Sequence, residues 1–70
     1  MRYAVVIENA GGNVSAYVPD LHGCVATGAT HAEAEQQIRE AIQFHLDGLR
    51  EDGHPIPPPS SRVDNVEVAA

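Results

Sequence analysis

From Ala16 to Gly28 the chain reads Ala16-Tyr17-Val18-Pro19-Asp20-Leu21-His22-Gly23-Cys24-Val25-Ala26-Thr27-Gly28, and Thr30 follows close behind. An apolar strand cannot run on through Pro19, whose ring fixes φ and which has no N–H to give to a ladder. Asp20 and Gly23 are turn residues, one through its side chain and the other through its freedom in φ. A short strand then resumes and stops at Gly28. This punctuation lays two strands against each other and hands the chain to a helix.

The elements on either side extend the pattern. Residues 3–8 are β-branched and apolar at nearly every position, as in a strand covered on both faces. Asn9-Ala10-Gly11-Gly12-Asn13 is a turn cluster that closes a hairpin onto a second strand over 14–18. A third strand follows over 23–27. Thr30-His31-Ala32-Glu33 fits a capping box, and from there a helix is predicted over 31–52. Ala34, Ile38, Ala41, Ile42, His45, Leu46 and Leu49 recur at its 3.6-residue period, and Gly53 is a natural stop. Residues 54–61, with four prolines, form a stiff extended connector spanning roughly 25 Å, enough to return along the helix. Val63, Val66 and Val68 then read as a last strand over 63–68, placed beside the first. The expected fold is α+β, β-β-β-α-β: an antiparallel three-stranded meander, one helix on the sheet and a final strand, in one domain over 1–70. One helix covers one face, so a second subunit is expected on the other.

Composition narrows the function. A 70-residue chain buries only roughly 60% of its unfolded surface. One cysteine excludes an internal disulfide, and no zinc-like cluster is present, so self-association or a partner is expected to add stability. Ten carboxylates stand against four arginines, no lysine and a net charge of −6. That balance argues against direct nucleic-acid binding and suits a basic protein partner. No apolar run approaches the ~20 residues of a membrane span, and Glu8 interrupts any signal-like start. A cytoplasmic location is expected.

Five pieces in order resemble the HicB-like antitoxin family. They are Tyr3-Ala4-Val5-Val6-Ile7-Glu8; Ser15-Ala16-Tyr17-Val18-Pro19-Asp20-Leu21 with Gly23-Cys24-Val25-Ala26-Thr27-Gly28; the helical stretch 34–49; Gly53-His54-Pro55-Ile56-Pro57; and Val66-Glu67-Val68. His22 stands where members commonly carry proline. The resemblance implies a fold similar to a truncated ribonuclease H. It also implies a partner, a small HicA-like ribonuclease toxin with a double-stranded-RNA-binding type of fold, which this domain would cover. Many members add a DNA-binding C-terminal segment; this chain is expected to lack one, and so to make no direct contact with its operator. A ribonuclease H site needs carboxylates converging on divalent metals, one near the middle of the first strand. Here that position falls within Ala4-Val5-Val6-Ile7, so no catalysis, metal or cofactor is expected.

The candidate partner-binding residues are Glu33, Glu40, Asp47, Glu51 and Asp52, on an acidic helix face, together with Phe44 at the edge of the apolar stripe. Glu51 and Asp52 sit where carboxylates oppose the helix dipole, a locally unfavourable choice that marks a binding surface. Phe44 reads first as packed beneath the connector and otherwise as an anchor in a subunit contact. Gly48, costly inside a helix, points to a close approach by the connector or another helix. His45 reads as a buried core histidine and Cys24 as a small buried apolar residue. His22 and Cys24 could face one side of a strand, but two ligands are too few for zinc. The leading function is therefore an antitoxin that occludes a small mRNA-cleaving toxin and forms a dimer or tetramer. An orphan oligomeric regulator or scaffold of the same fold is the alternative, and a small enzyme or metal protein built on Cys24 and the histidines a remoter third.

Overall fold

Three short strands and one long helix organise residues 1–69, the part described by this computed structural model. In chain order they are β1 (Val6–Asn9), β2 (Val14–Tyr17), β3 (Val25–Gly28) and α1 (His31–Glu51). The sheet is antiparallel with order β1-β2-β3. The hairpin closes where the turn cluster predicts: Ala10 N–H donates to the Asn13 carbonyl at 2.8 Å. Gly11 and Gly12 supply the positive φ values that turn needs, 53° and 102°.

The loop between β2 and β3 is tied into the core. Val18 N–H donates to the Cys24 carbonyl, Leu21 N–H to Val18, and Cys24 N–H to Leu21, at 3.1 to 3.2 Å. Leu21 is thereby pressed inward and is 1% exposed. β1 starts at Val6 rather than at Tyr3. The register Val6↔Tyr17 would set residues 3–5 opposite 18–20, where Pro19 has no N–H to give to a ladder. Tyr3 and Val5 remain half-buried against the core without joining the ladder.

The helix begins and ends on its expected signals. Thr30 Oγ1 accepts from Glu33 N–H at 3.1 Å, and the Glu33 carboxylate accepts from Ala29 N–H at 3.2 Å. At the far end Asp52 is the cap and Gly53 turns left-handed at φ 70°. His54 N–H then reaches the Leu49 carbonyl and Gly53 N–H that of Arg50, a Schellman stop. Ala34, Ile38 and Leu46 are buried against Val14, Ala16, Val18, Leu21 and Cys24, with Ala41, Ile42 and Leu49 flanking. The helix packs mainly over β3 and β2 and touches β1 only lightly. A Cβ on Gly28 would stand 2.5 Å from Ala34 N, so the absent side chain is what permits the close approach to β3.

Four expectations are corrected. Residues 63–68 form no strand within the chain, and Val63, Val66 and Val68 are 70%, 80% and 75% exposed. The connector does return to the sheet, with Ile56 packed on the core and the Tyr3 hydroxyl donating to the Pro57 carbonyl. It then ends on the β2–β3 loop instead of on β1, because Asp20 captures Ser60 and Ser61. Phe44 does not lie beneath the connector and is 83% exposed. Gly48 faces open space, with nothing within 4 Å of where its Cβ would stand. His45 is half-buried on the flank of the apolar stripe rather than inside the core.

Candidate functional site

An α-helix turns roughly 100° per residue, so residues spaced 7, 4, 3 and 4 apart return to nearly one line. Glu33, Glu40, Phe44, Asp47 and Glu51 have that spacing and are all exposed on α1. They lie opposite the buried stripe of Ala34, Ile38 and Leu46 and form a ridge about 27 Å long. Phe44 stands near its middle with carboxylates on both sides. Asp52, past the last turn, falls off this line. The structure thus brings five of the six candidate residues together.

The ridge is partly braced. Gln36 donates to Glu40 at 3.2 Å and Gln43 to Asp47 at 2.9 Å, holding both carboxylates extended along the helix. The Arg39–Glu35 and Arg50–Asp47 pairs are longer, at 3.4 Å, with side chains more than half exposed. Such pairs are worth about 0–1 kcal/mol and leave the carboxylates available to a stronger cation. Both arginines lie on the flank turned towards β1, so the helix carries its acids outward and its bases to one side.

Two further surfaces are open, a groove that the residue pattern did not reveal and the sheet face for which a second subunit is expected. Between α1 and the free edge of β1 runs an apolar groove of about 300 Å³ lined by Tyr3, Val5, Ile7, Ile38 and Ile42, with Glu35 and Arg39 at its rim. A second hollow of about 350 Å³ continues it past Met1 to Arg50. On the face of the sheet away from the helix, Val6, Tyr17 and Val25 stand in one cross-strand row. Tyr17 is 41% and Val25 67% exposed, so that face carries open apolar area.

The β2–β3 loop holds a clamp that sequence reasoning also missed. Asp20 Oδ2 accepts from the Ser60 and Ser61 amides at 2.9 Å each, while Oδ1 accepts from their hydroxyls at 2.9 and 2.8 Å. The Ser61 amide, then the Ser60 amide, hold the Asp20 carboxyl well below the usual range, at about 2. An aspartate in a turn and a serine pair after a proline run were visible, but a separation of 40 positions in the chain hid the pairing.

Nothing converges for chemistry at Cys24. It is 4% exposed, and burial pushes its thiol pKa up, away from the reactive thiolate. His22 is exposed on the same loop, so the two face different surroundings. Among the described residues no group of three or more His, Cys, Asp or Glu could hold a metal ion, and no helix is long and apolar enough to cross a membrane.

Comparison with known proteins gives this surface its context. Residues 3–69 match the family described as HicB-like antitoxin of bacterial toxin–antitoxin systems. A UPF0150 protein of Helicobacter pylori is 43% identical over 52 residues, covering 74% of this chain and 72% of that protein. An uncharacterized protein of Haemophilus phage HP1 is 39% identical over 57 residues, and there the match spans 81% of this chain but 43% of the longer phage protein. A chain of the solved HicA3 and HicB3 toxin–antitoxin complex superposes with a TM-score of 0.72 at 32% identity, covering 84% of this chain and 70% of that one. With a match over nearly its whole length, this chain belongs to the HicB-like antitoxin family of bacterial toxin–antitoxin systems.

Proposed function

We propose that this protein is a non-catalytic cytoplasmic antitoxin that binds a small, basic, HicA-like mRNA-cleaving toxin and covers its RNA site. The observation that carries the reading is Phe44, exposed in the midst of four carboxylates on one helix line. A lone aromatic ringed by charge is the usual anatomy of an interface anchor with a polar rim. A protein that cleaves RNA must present cations to phosphates, and a carboxylate ridge competes for those same cations. The net charge of −6 strengthens the attraction at long range.

Inhibition here means occupying a surface. Glu8 is the one carboxylate of β1, and a single carboxylate cannot hold two metal ions, which argues against a working ribonuclease H-like centre. The chain also self-associates, as a dimer or tetramer, in this reading, and no direct DNA contact is assigned to these 70 residues. The open row Val6, Tyr17 and Val25 equally favours a second reading, an oligomeric regulator of the same fold without a toxin. Co-expression with the product of the adjacent reading frame decides between them. Growth rescue, co-purification and loss of RNA cleavage in vitro are expected. A neighbour that neither co-purifies nor is silenced removes the antitoxin reading, and RNA turnover by the isolated chain removes both.

A further inference from the structure

The chain contains both halves of a strand addition and leaves them apart. One half is the outer edge of β1, which no strand among the described residues pairs. Beside it lies the groove floored by Val5, Ile7, Ile38 and Ile42. A strand laid on that edge would sit ~4.8 Å beyond β1 and drop every second side chain into the groove. The other half is the segment after the Asp20 clamp. There Arg62 Nε donates to Asp64 Oδ2 at 3.0 Å, two residues on, so side chains two apart share one side as they do along a strand. Val66 and Val68 share one side of such a strand, and both are more than 70% exposed.

The segment is exposed along its whole described length. The longest dimension of the molecule is 48 Å, although its 21-residue helix spans only about 31 Å. The radius of gyration is 13.8 Å, against about 11 Å for a compact chain of this length. The cause is local: four hydrogen bonds to Asp20 set the tail's departure point on the β2–β3 loop. With the clamp closed, a chain's own valines stay out of its own groove.

We propose that residues 63–68 of one copy pair with the β1 edge of a second copy, seating Val66 and Val68 in its apolar groove, and that the exchange is reciprocal. Each copy gives one strand and receives one, so a two-fold axis satisfies both edges and closes the assembly. Asp64 lies on the same side as the two valines, and Arg39 at the groove rim has the complementary charge. The unpaired edge, a template for uncontrolled pairing, is used up in the same step. The inference deepens the self-association proposed above and requires no toxin, so its failure leaves toxin binding untouched.

The test uses the full chain at about 100 µM. Sedimentation should give twice the 7.4 kDa chain mass. In a mixture of 13C-labelled and unlabelled protein, isotope-filtered NMR should show contacts from Val66 and Val68 methyls to Ile7, Ile38 and Ile42 methyls between molecules. The double variant Val66→Asp and Val68→Asp should weaken the dimer at least 100-fold while its helical circular dichroism is kept, since neither residue touches the core. A monomer at that concentration overturns the proposal. So do the same contacts within one molecule only, or a dimer that survives the double variant with its tail mobile.

Discussion

Two glycines on opposite ends of the same packing problem predict opposite outcomes for one substitution. At Gly28 a methyl group would meet Ala34 N at 2.5 Å and Glu33 C at 2.9 Å, backbone atoms that cannot step aside. Gly28→Ala should therefore push the helix off β3 and cost roughly 1–3 kcal/mol, as overpacking does. At Gly48 the methyl enters open space inside a helix, where alanine is better by about 1 kcal/mol. Gly48→Ala should raise the melting temperature by about 4–8 °C for a chain of this size. Thermal unfolding followed by circular dichroism checks both, and equal signs would contradict the packing described. Cys24 gives a third residue-scale test. Its buried, pKa-raised thiol should resist alkylation by iodoacetamide at pH 8 in the folded protein and react promptly once urea unfolds it.

At the scale of elements, the parts legible in the residues were those decided within a few positions. The Gly11-Gly12 turn, the Thr30 cap and the Gly53 stop each depend on local φ values and side-chain reach, and each formed on its signal. The start of β1 and the fate of residues 63–68 depend on what lies opposite, which the period of a strand does not encode. Tyr3 to Val5 look as strand-like as Val6 and Ile7, yet the register sets them against a stretch that contains Pro19, which has no amide to give. Phe44 reads first as packed beneath the connector and otherwise as a subunit anchor; the connector meets Tyr3 at Pro57 and Asp20 at Ser60 and leaves Phe44 open. That clamp makes its own prediction. The Asp20 carboxyl is held at about 2 in the folded chain, against 3.8 for an ordinary aspartate. A depressed folded value means the contribution is complete above about pH 4 and is lost as pH falls towards 2. The Ser60 and Ser61 amides should accordingly be protected from hydrogen exchange at pH 5 and lose that protection near pH 2. Asp20→Ala should remove it at every pH without unfolding the sheet and helix. Protection that persists in the variant would place the serines' donors elsewhere.

For the whole molecule the governing fact is an uneven distribution of surface: acids and Phe44 outward on α1, arginines and apolar area towards β1, and bare valines on the tail. If the outward ridge is what meets a basic toxin, two variants should fail differently. Glu40→Gln with Asp47→Asn and Glu51→Gln removes three charges and almost no volume. Affinity should fall about tenfold or more at low ionic strength, chiefly through slower association, and its salt dependence should flatten. Phe44→Ala removes apolar contact and no charge, so it should lower affinity by a similar factor through faster dissociation and leave the salt slope as it was. None of these four side chains is buried, so thermal stability should stay within about 0.5 kcal/mol of the parent and separate a lost contact from a lost fold. Calorimetry and stopped-flow binding at two salt concentrations read every term. If both variants bind as the parent does, the toxin is held elsewhere, and the open row of Val6, Tyr17 and Val25 becomes the surface to alter next.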